Sequence, residues 1–145
     1  MKAKEYLLQI ETLSAKIEQK RQRASEYREV ALCSGGFDYS KERVQTSNLG
    51  GQIEGPVIRY IALEQEAVRD EMALQELKDK ITGEIHNLNN AKHIILLYKR
   101  YVECKNLNQV AKEMNFAYQY IRSMHGDALK EFEKINLHTQ SYNDM

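Results

Sequence analysis

The chain has 145 residues, a formal net charge of zero, 29% charged residues, one proline and no tryptophan. This length suits one domain, or one small domain with a helical extension, and the composition favours long solvated helices over a thick globular core. The longest apolar run, from Ile94 to Leu97, is too short to cross a membrane, and no secretory signal is visible. We therefore expect an all-α cytoplasmic protein.

The two cysteines, Cys33 and Cys104, lie far apart and match no metal-ligand spacing. In a cytoplasmic protein both thiols are expected to stay reduced. Free cysteine usually behaves as a small buried hydrophobic residue, so we predict that both are buried. No metal site and no cofactor is predicted.

Residues 2–34 contain neither glycine nor proline and predict one long helix. Alanine and isoleucine recur there every seven residues, at Ala3, Ile10, Ile17, Ala24 and Ala31. A second series follows three residues after each of the first four, at Tyr6, Leu13, Lys20 and Tyr27. This is a heptad pattern with one polar break, and Gly35-Gly36 should end the helix.

Residues 35–55 are rich in glycine and predict a flexible connector. Pro56 suits the first turn of a second helix, expected over about residues 57–87. Its heptad positions are Tyr60, Ala67, Leu74, Ile81 and Leu88, with Leu63 and Leu77 three residues further on, and Asp70 and Glu84 as polar breaks. Residues 1–87 therefore predict a long antiparallel, coiled-coil-like hairpin, although pairing between two chains is equally compatible with the pattern.

Residues 88–137 predict a compact tri-helical domain, followed by a tail over residues 138–145. Its first helix is the broadly apolar segment from Ala91 to Cys104, and two short helices then meet around a turn at residues 115–117. Asn106 should cap the second of the three helices, in a capping box with Gln109. Asn115 stands where a positive φ is needed. The region around this domain is mildly basic, with 8 Lys and Arg against 5 Asp and Glu over residues 88–138.

Residues 106–135 resemble region four of bacterial sigma factors, the part that reads promoter DNA. The matching residues are Leu107, Val110-Ala111, Met114-Asn115-Phe116, Ile121-Arg122 and Ala128-Leu129-Lys130. The whole chain is also similar to a family of prophage proteins from Gram-positive bacteria. That second likeness is carried by Val44-Gln45-Thr46-Ser47, with Arg43 before it, and by Met124-His125-Gly126-Asp127-Ala128-Leu129. One departure is Ala117, because the recognition helix of such motifs usually opens with serine.

The resemblance implies a phage transcription regulator that reads promoter DNA in a bacterial host through a helix-turn-helix. In such motifs the first residues of the second helix face base edges in the major groove. With Ile121, Met124 and Ala128 turned inward, the candidate base contacts are Tyr118, Gln119, Arg122 and Ser123. The candidate phosphate contacts are Asn108, Gln109, Lys112, Lys99, Arg100, Lys130 and His125, although His125 is more easily read as structural.

The partners implied are double-stranded promoter DNA, RNA polymerase by resemblance to sigma factors, and a second copy of the chain bound through the N-terminal helices. A second hypothesis is a helical inhibitor or interaction protein that binds the host transcription machinery without reading DNA. A third is a small terminase subunit for phage packaging, ranked last because those proteins usually place the DNA-binding module first. No arrangement typical of a catalytic site occurs, so an enzyme is not expected.

Overall fold

The computed structural model describes residues 2–34 and 46–137, except for the side chains of residues 34 and 46–54. Every element in these ranges is helical and no strand occurs in them, which confirms the all-α prediction. The helices are α1 (Ala3–Leu7), α2 (Gln9–Ser34), α3 (Thr46–His86), α4 (Ala91–Leu97), α5 (Leu107–Met114) and α6 (Tyr118–Phe132). Short π-helical segments, Tyr98–Val102 and Glu133–Leu137, follow α4 and α6.

The N-terminal helix is interrupted once, at Leu8, where the sequence predicted none. The interruption is slight, because the Leu8 N–H donates to the Lys4 carbonyl at 3.0 Å and the Leu8 carbonyl accepts from the Thr12 N–H at 3.0 Å. Helical hydrogen bonding therefore continues through the joint. Helix α2 ends at Ser34, and the Gly35-Gly36 pair that was predicted to stop it lies outside the described residues.

The predicted start of the second helix near Val57 is wrong, because α3 begins at Thr46 and contains Pro56. Residues 46–55, which were predicted to belong to the connector, are therefore part of α3, and the rest of the predicted connector lies outside the described residues. Inside a helix, glycine costs about 1 kcal/mol and proline about 3 kcal/mol relative to alanine, so both weaken a helix without forbidding it. The fixed φ of proline is helical, and Gly55 has no Cβ to clash with the Pro56 ring.

The chain divides into two compact units, of which one spans residues 14–73. The heptad residues Ile17, Ala24 and Ala67 are buried in this unit. Lys20 Nζ donates to Asp70 Oδ2 at 2.6 Å, so the two polar breaks of the heptad pattern pair with each other. The segments of α2 and α3 in this unit run in opposite directions, because Lys20 lies beside Asp70 whereas Tyr27 lies beside Arg59.

The other unit combines residues 1–13 with residues 74–145. Its most completely buried large side chains come from both ranges and are Leu7, Ile10, Ile81, Ile85, Leu96, Leu97, Tyr101, Val110, Ile121 and Phe132. The third polar break, Glu84, accepts a hydrogen bond of 2.7 Å from the Tyr6 hydroxyl, and the Tyr6 ring lies 6.0 Å from that of Phe132. Because these contacts join α1 and the end of α3 to the last helices, the unit differs from the domain predicted over residues 88–137.

Both cysteines are exposed, so the prediction that they are buried is wrong. Cys33 lies two residues after the heptad position Ala31, which turns it about 200° around the helix and away from the apolar face. Cys104 follows the π-helical segment with a φ of 57° and lies in the turn before α5. Its Sγ donates to the Tyr101 carbonyl at 3.6 Å.

Candidate nucleic-acid interface

Helix α5 begins and ends where the sequence predicted. Its N-cap is Asn106, whose Oδ1 accepts a hydrogen bond of 2.8 Å from the Gln109 N–H. At its C-terminus Asn115 adopts the left-handed conformation, with φ 59° and ψ 40°, which confirms the predicted positive φ. The Phe116 N–H then returns to the Ala111 carbonyl at 3.0 Å, so the helix closes with a Schellman motif.

The turn between α5 and α6 packs through Phe116. Its ring lies 5.0 Å from the ring of Tyr120, and Lys92 Nζ stands 5.3 Å from the centre of the same ring. Ala117 is the N-cap of α6 and supplies no side-chain hydrogen bond. The first turn of α6 is therefore positioned by an aromatic contact rather than by a capping side chain.

Helix α6 has one buried and one exposed face. The buried residues are Ile121, Met124, Ala128 and Phe132, spaced by three or four so that they form one apolar stripe. The four predicted base contacts, Tyr118, Gln119, Arg122 and Ser123, are all exposed in the first two turns. Among the described residues none forms a hydrogen bond or ion pair with the side chain of Gln119, Arg122 or Ser123. These polar groups are therefore open to an external partner.

The seven predicted phosphate contacts divide into two groups. Four of them are exposed on α5 and on the second half of α6, namely Asn108, Gln109, Lys112 and Lys130. The Lys112 and Lys130 ammonium groups form no ion pair with a described carboxylate. All four side chains are therefore accessible to a phosphate group.

Lys99 and Arg100 are half-buried and face carboxylates of the same chain. Lys99 Nζ lies 4.0 Å from Glu113 Oε2, and Arg100 Nη1 lies 3.5 Å from Glu11 Oε2. The Arg100 guanidinium also lies 5.1 Å from the centre of the Tyr101 ring. Because both cations have internal partners, we do not expect Lys99 and Arg100 to contact phosphate.

His125 also belongs to the interior. Its Nε2 is 2.7 Å from the buried Tyr101 hydroxyl, and the two rings stack at 5.7 Å. Burial lowers the pKa of His125 to about 4, with a further contribution from the nearby charges of Arg100 and Lys4. Burial likewise raises the pKa of Tyr101 to about 12. A neutral imidazole that is hydrogen-bonded to a buried hydroxyl has a structural role. We therefore do not expect His125 to contact phosphate.

Two charged residues next to the exposed face of α6 were missed by the sequence analysis. Lys92 and Asp127 line a polar depression together with Tyr120 and Ser123. Lys92 is exposed and adds a cation to the face, whereas Asp127 is exposed and adds a negative charge. No sequence motif marks Lys92, because its place beside α6 depends on the packing of α4.

Comparison of the chain with protein-family models, with curated proteins and with solved structures finds no match. Within residues 2–34 and 46–137, no group of three or more His, Cys, Asp or Glu side chains is arranged to hold a metal ion. In the same ranges no helix combines the length and the apolar character that crossing a bilayer requires.

Proposed function

We propose that the chain is a sequence-specific DNA-binding transcription regulator of phage type. It reads promoter DNA with the exposed face of α6 and uses α5 and α6 as a helix-turn-helix. The observation that carries the proposal is the first half of α6. Its apolar side is buried, while Gln119, Arg122 and Ser123 are exposed and have no partner among the described side chains. In helix-turn-helix proteins the base-reading residues occupy this part of the second helix.

The residue types on this face match the groups that base edges present. Arg122 can donate two hydrogen bonds to O6 and N7 of guanine, and Gln119 can make a bidentate pair with adenine. Tyr118 offers an apolar ring to a thymine methyl group. Each good bidentate pair is worth about 1–3 kcal/mol of discrimination against the wrong base.

Phosphate binding comes from the residues that flank this face. Asn108 and Gln109 lie in the first turn of α5 and offer side-chain amides, and Lys112 and Lys130 supply positive charge. Lys92 extends the same positive edge. RNA polymerase is an additional candidate partner, by resemblance to sigma factors alone.

The test is selection of bound duplexes from a random pool, repeated at a low and a high salt concentration. We expect a short preferred sequence, and Arg122→Ala should lose about 1–3 kcal/mol of discrimination at one base pair of it. Lys112→Ala should weaken binding to all sequences alike and reduce the salt slope by about one. The matched control is Arg28→Ala, because Arg28 is an exposed arginine on a different helix, α2, in the other compact unit.

A second candidate function is favoured by Asp127. This carboxylate is exposed four residues after Ser123 and forms no ion pair with a described cation. On a face that approaches phosphates it is repulsive, whereas a protein partner with a basic patch would match it. A helical interaction protein that binds the transcription machinery therefore remains the alternative, and absence of DNA binding at low salt in the selection would favour it.

A further inference from the structure

Helix α3 carries a second apolar stripe that the described part of the chain leaves exposed. Ile58, Ile61, Val68 and Met72 are exposed by 63%, 47%, 49% and 65% of their surface. Single exposed apolar residues are ordinary on protein surfaces, but a contiguous set on one face marks an interaction site. We call these four residues, together with Gln65 between them, the outer stripe.

The outer stripe has the spacing of a coiled-coil seam. Its positions 58, 61, 65, 68 and 72 alternate steps of three and four residues, so they form the a and d positions of two heptads. The inner heptad series of α3 lies on the opposite side of the helix, where Ala67 is buried. The inner heptad series, from which the sequence predicted a dimer, is thus buried within the chain. The outer stripe is the face of α3 that remains for a second chain.

We propose that a second copy of this chain packs on the outer stripe, so that two α3 helices form a short parallel coiled coil. This inference does not depend on the proposed DNA binding. An open depression lined by Glu64, Gln65, Val68 and Arg69 lies along the same face and offers the hole that such packing fills.

The outer stripe is complementary to itself in a parallel pair. Each residue then meets its own copy, so Ile61 packs on Ile61, and the two Gln65 amides can hydrogen-bond to each other. A single polar a position of this kind fixes register and orientation in coiled coils.

The charges beside the outer stripe favour the same orientation. In a parallel pair Glu64, at a g position, faces Arg69 of the partner, at the following e position. Within its own chain Glu64 Oε2 lies 3.8 Å from Arg21 Nη1, a long ion pair, so its carboxylate can also attract Arg69 of the partner. In an antiparallel pair Glu64 would face Glu71 of the partner, which is repulsive. Within its own chain Arg69 forms no ion pair with a described carboxylate, so its guanidinium can pair across the interface.

The monomer already holds the outer stripe in helical form. Lys20 of α2 binds Asp70 on the inner side of α3 at 2.6 Å, and Arg21 binds Glu71 on the flank of the helix at 2.5 Å. Dimerisation therefore does not need to order the helix, which lowers its entropic cost. Two heptads are fewer than most coiled coils use, so we expect a reversible dimer whose population depends on concentration.

The test is molecular mass by light scattering and sedimentation, measured on the full chain over a wide concentration range. Wild-type mass should rise from one chain to two, whereas Val68→Glu combined with Met72→Glu should remain at one chain. The matched control is Leu32→Glu, an exposed leucine on α2 outside the outer stripe, which should behave like the wild type. Circular dichroism of the stripe variant should match the wild type, because neither side chain is buried.

Orientation is tested with Gln65→Cys in a Cys33→Ser, Cys104→Ser background. A parallel pair brings the two introduced thiols together, so oxidation should give a disulfide-linked dimer, and Leu32→Cys in the same background should not. Three results would overturn the proposal. They are a wild type whose mass stays at one chain at every concentration, a mass above two chains, and a stripe variant that dimerises like the wild type. A dimer without the residue 65 cross-link would overturn the parallel arrangement. None of these measurements involves DNA, so they stand apart from the duplex selection.

Discussion

The contact between His125 and Tyr101 makes the stability of the protein depend on pH in a defined direction. The pKa of His125 is about 4 in the folded chain and 6.5 when unperturbed. Because the folded value is the lower one, the unfolded chain takes up a proton first as the pH falls. The stabilisation is complete above pH 6.5 and is lost progressively as the pH falls towards 4.

The size of this effect follows from the difference between the two pKa values. A difference of about 2.5 units corresponds to about 3.4 kcal/mol at about 1.36 kcal/mol per unit. The imidazole is only partly buried, and solvent reduces such terms, so we expect about 2 kcal/mol of stability to be lost. The variant that isolates the effect is His125→Gln, since glutamine can still hydrogen-bond to Tyr101 and does not titrate.

The assay is urea unfolding of the wild type and of His125→Gln at several pH values on either side of 6.5. Titration of the carboxylates is common to both proteins and cancels in the difference. The stability of the wild type relative to the variant should therefore fall by about 2 kcal/mol as the pH drops from 7 to 4. Parallel curves would refute the assignment of His125 as a buried neutral group. DNA affinity at neutral pH should be the same for both proteins, because His125 faces Tyr101 rather than solvent.

Three further predictions concern stability and are checked by urea unfolding. Asn115→Ala should cost about 1 kcal/mol, because alanine tolerates the left-handed conformation poorly, while Asn115→Gly should cost nothing; equal losses from both would contradict the cap geometry. Ala117→Ser should add about 1 kcal/mol by capping α6, and an unchanged midpoint would mean that serine finds no free N–H there. Phe132→Ala should cost about 3–5 kcal/mol because the side chain is fully buried, so a loss below 1 kcal/mol would show that the core collapses around it.

The heptad patterns were readable from the sequence because burial repeats with the helical period. Ile17, Ala24 and Ala67 were predicted on the inner faces and are buried there. The polar breaks of the two heptad patterns are matched to each other, which the sequence pattern alone did not indicate. Lys20 and Asp70 pair with each other, but recognising that pair requires the register of α2 against α3, which no local pattern provides.

The candidate site was predictable where local chemistry decides. The cap at Asn106 and the left-handed Asn115 follow from residue type at a helix end. The internal ion pairs of Lys99 and Arg100 were not predictable from the sequence, because their carboxylate partners lie in other helices and come close only after packing. The start of α3 was missed for a different reason, since glycine and proline lower helix propensity without setting a boundary.

The two proposals support each other through charge. If the proposed DNA binding holds, each helix-turn-helix module would offer Lys92, Lys112, Arg122 and Lys130 to phosphates and bases, because Lys99, Arg100 and His125 have internal partners. Asp127 would oppose them. With each phosphate contact releasing about one counterion, so few cations give weak binding that salt readily abolishes. In the proposed dimer a second module would be available to the same duplex at high effective concentration, which would double the contacts. Two modules related by a two-fold axis would then read two half-sites related by the same symmetry. Dimerisation would in this way allow a chain of zero net charge to bind DNA with useful affinity although its proposed DNA-binding modules are not strongly basic.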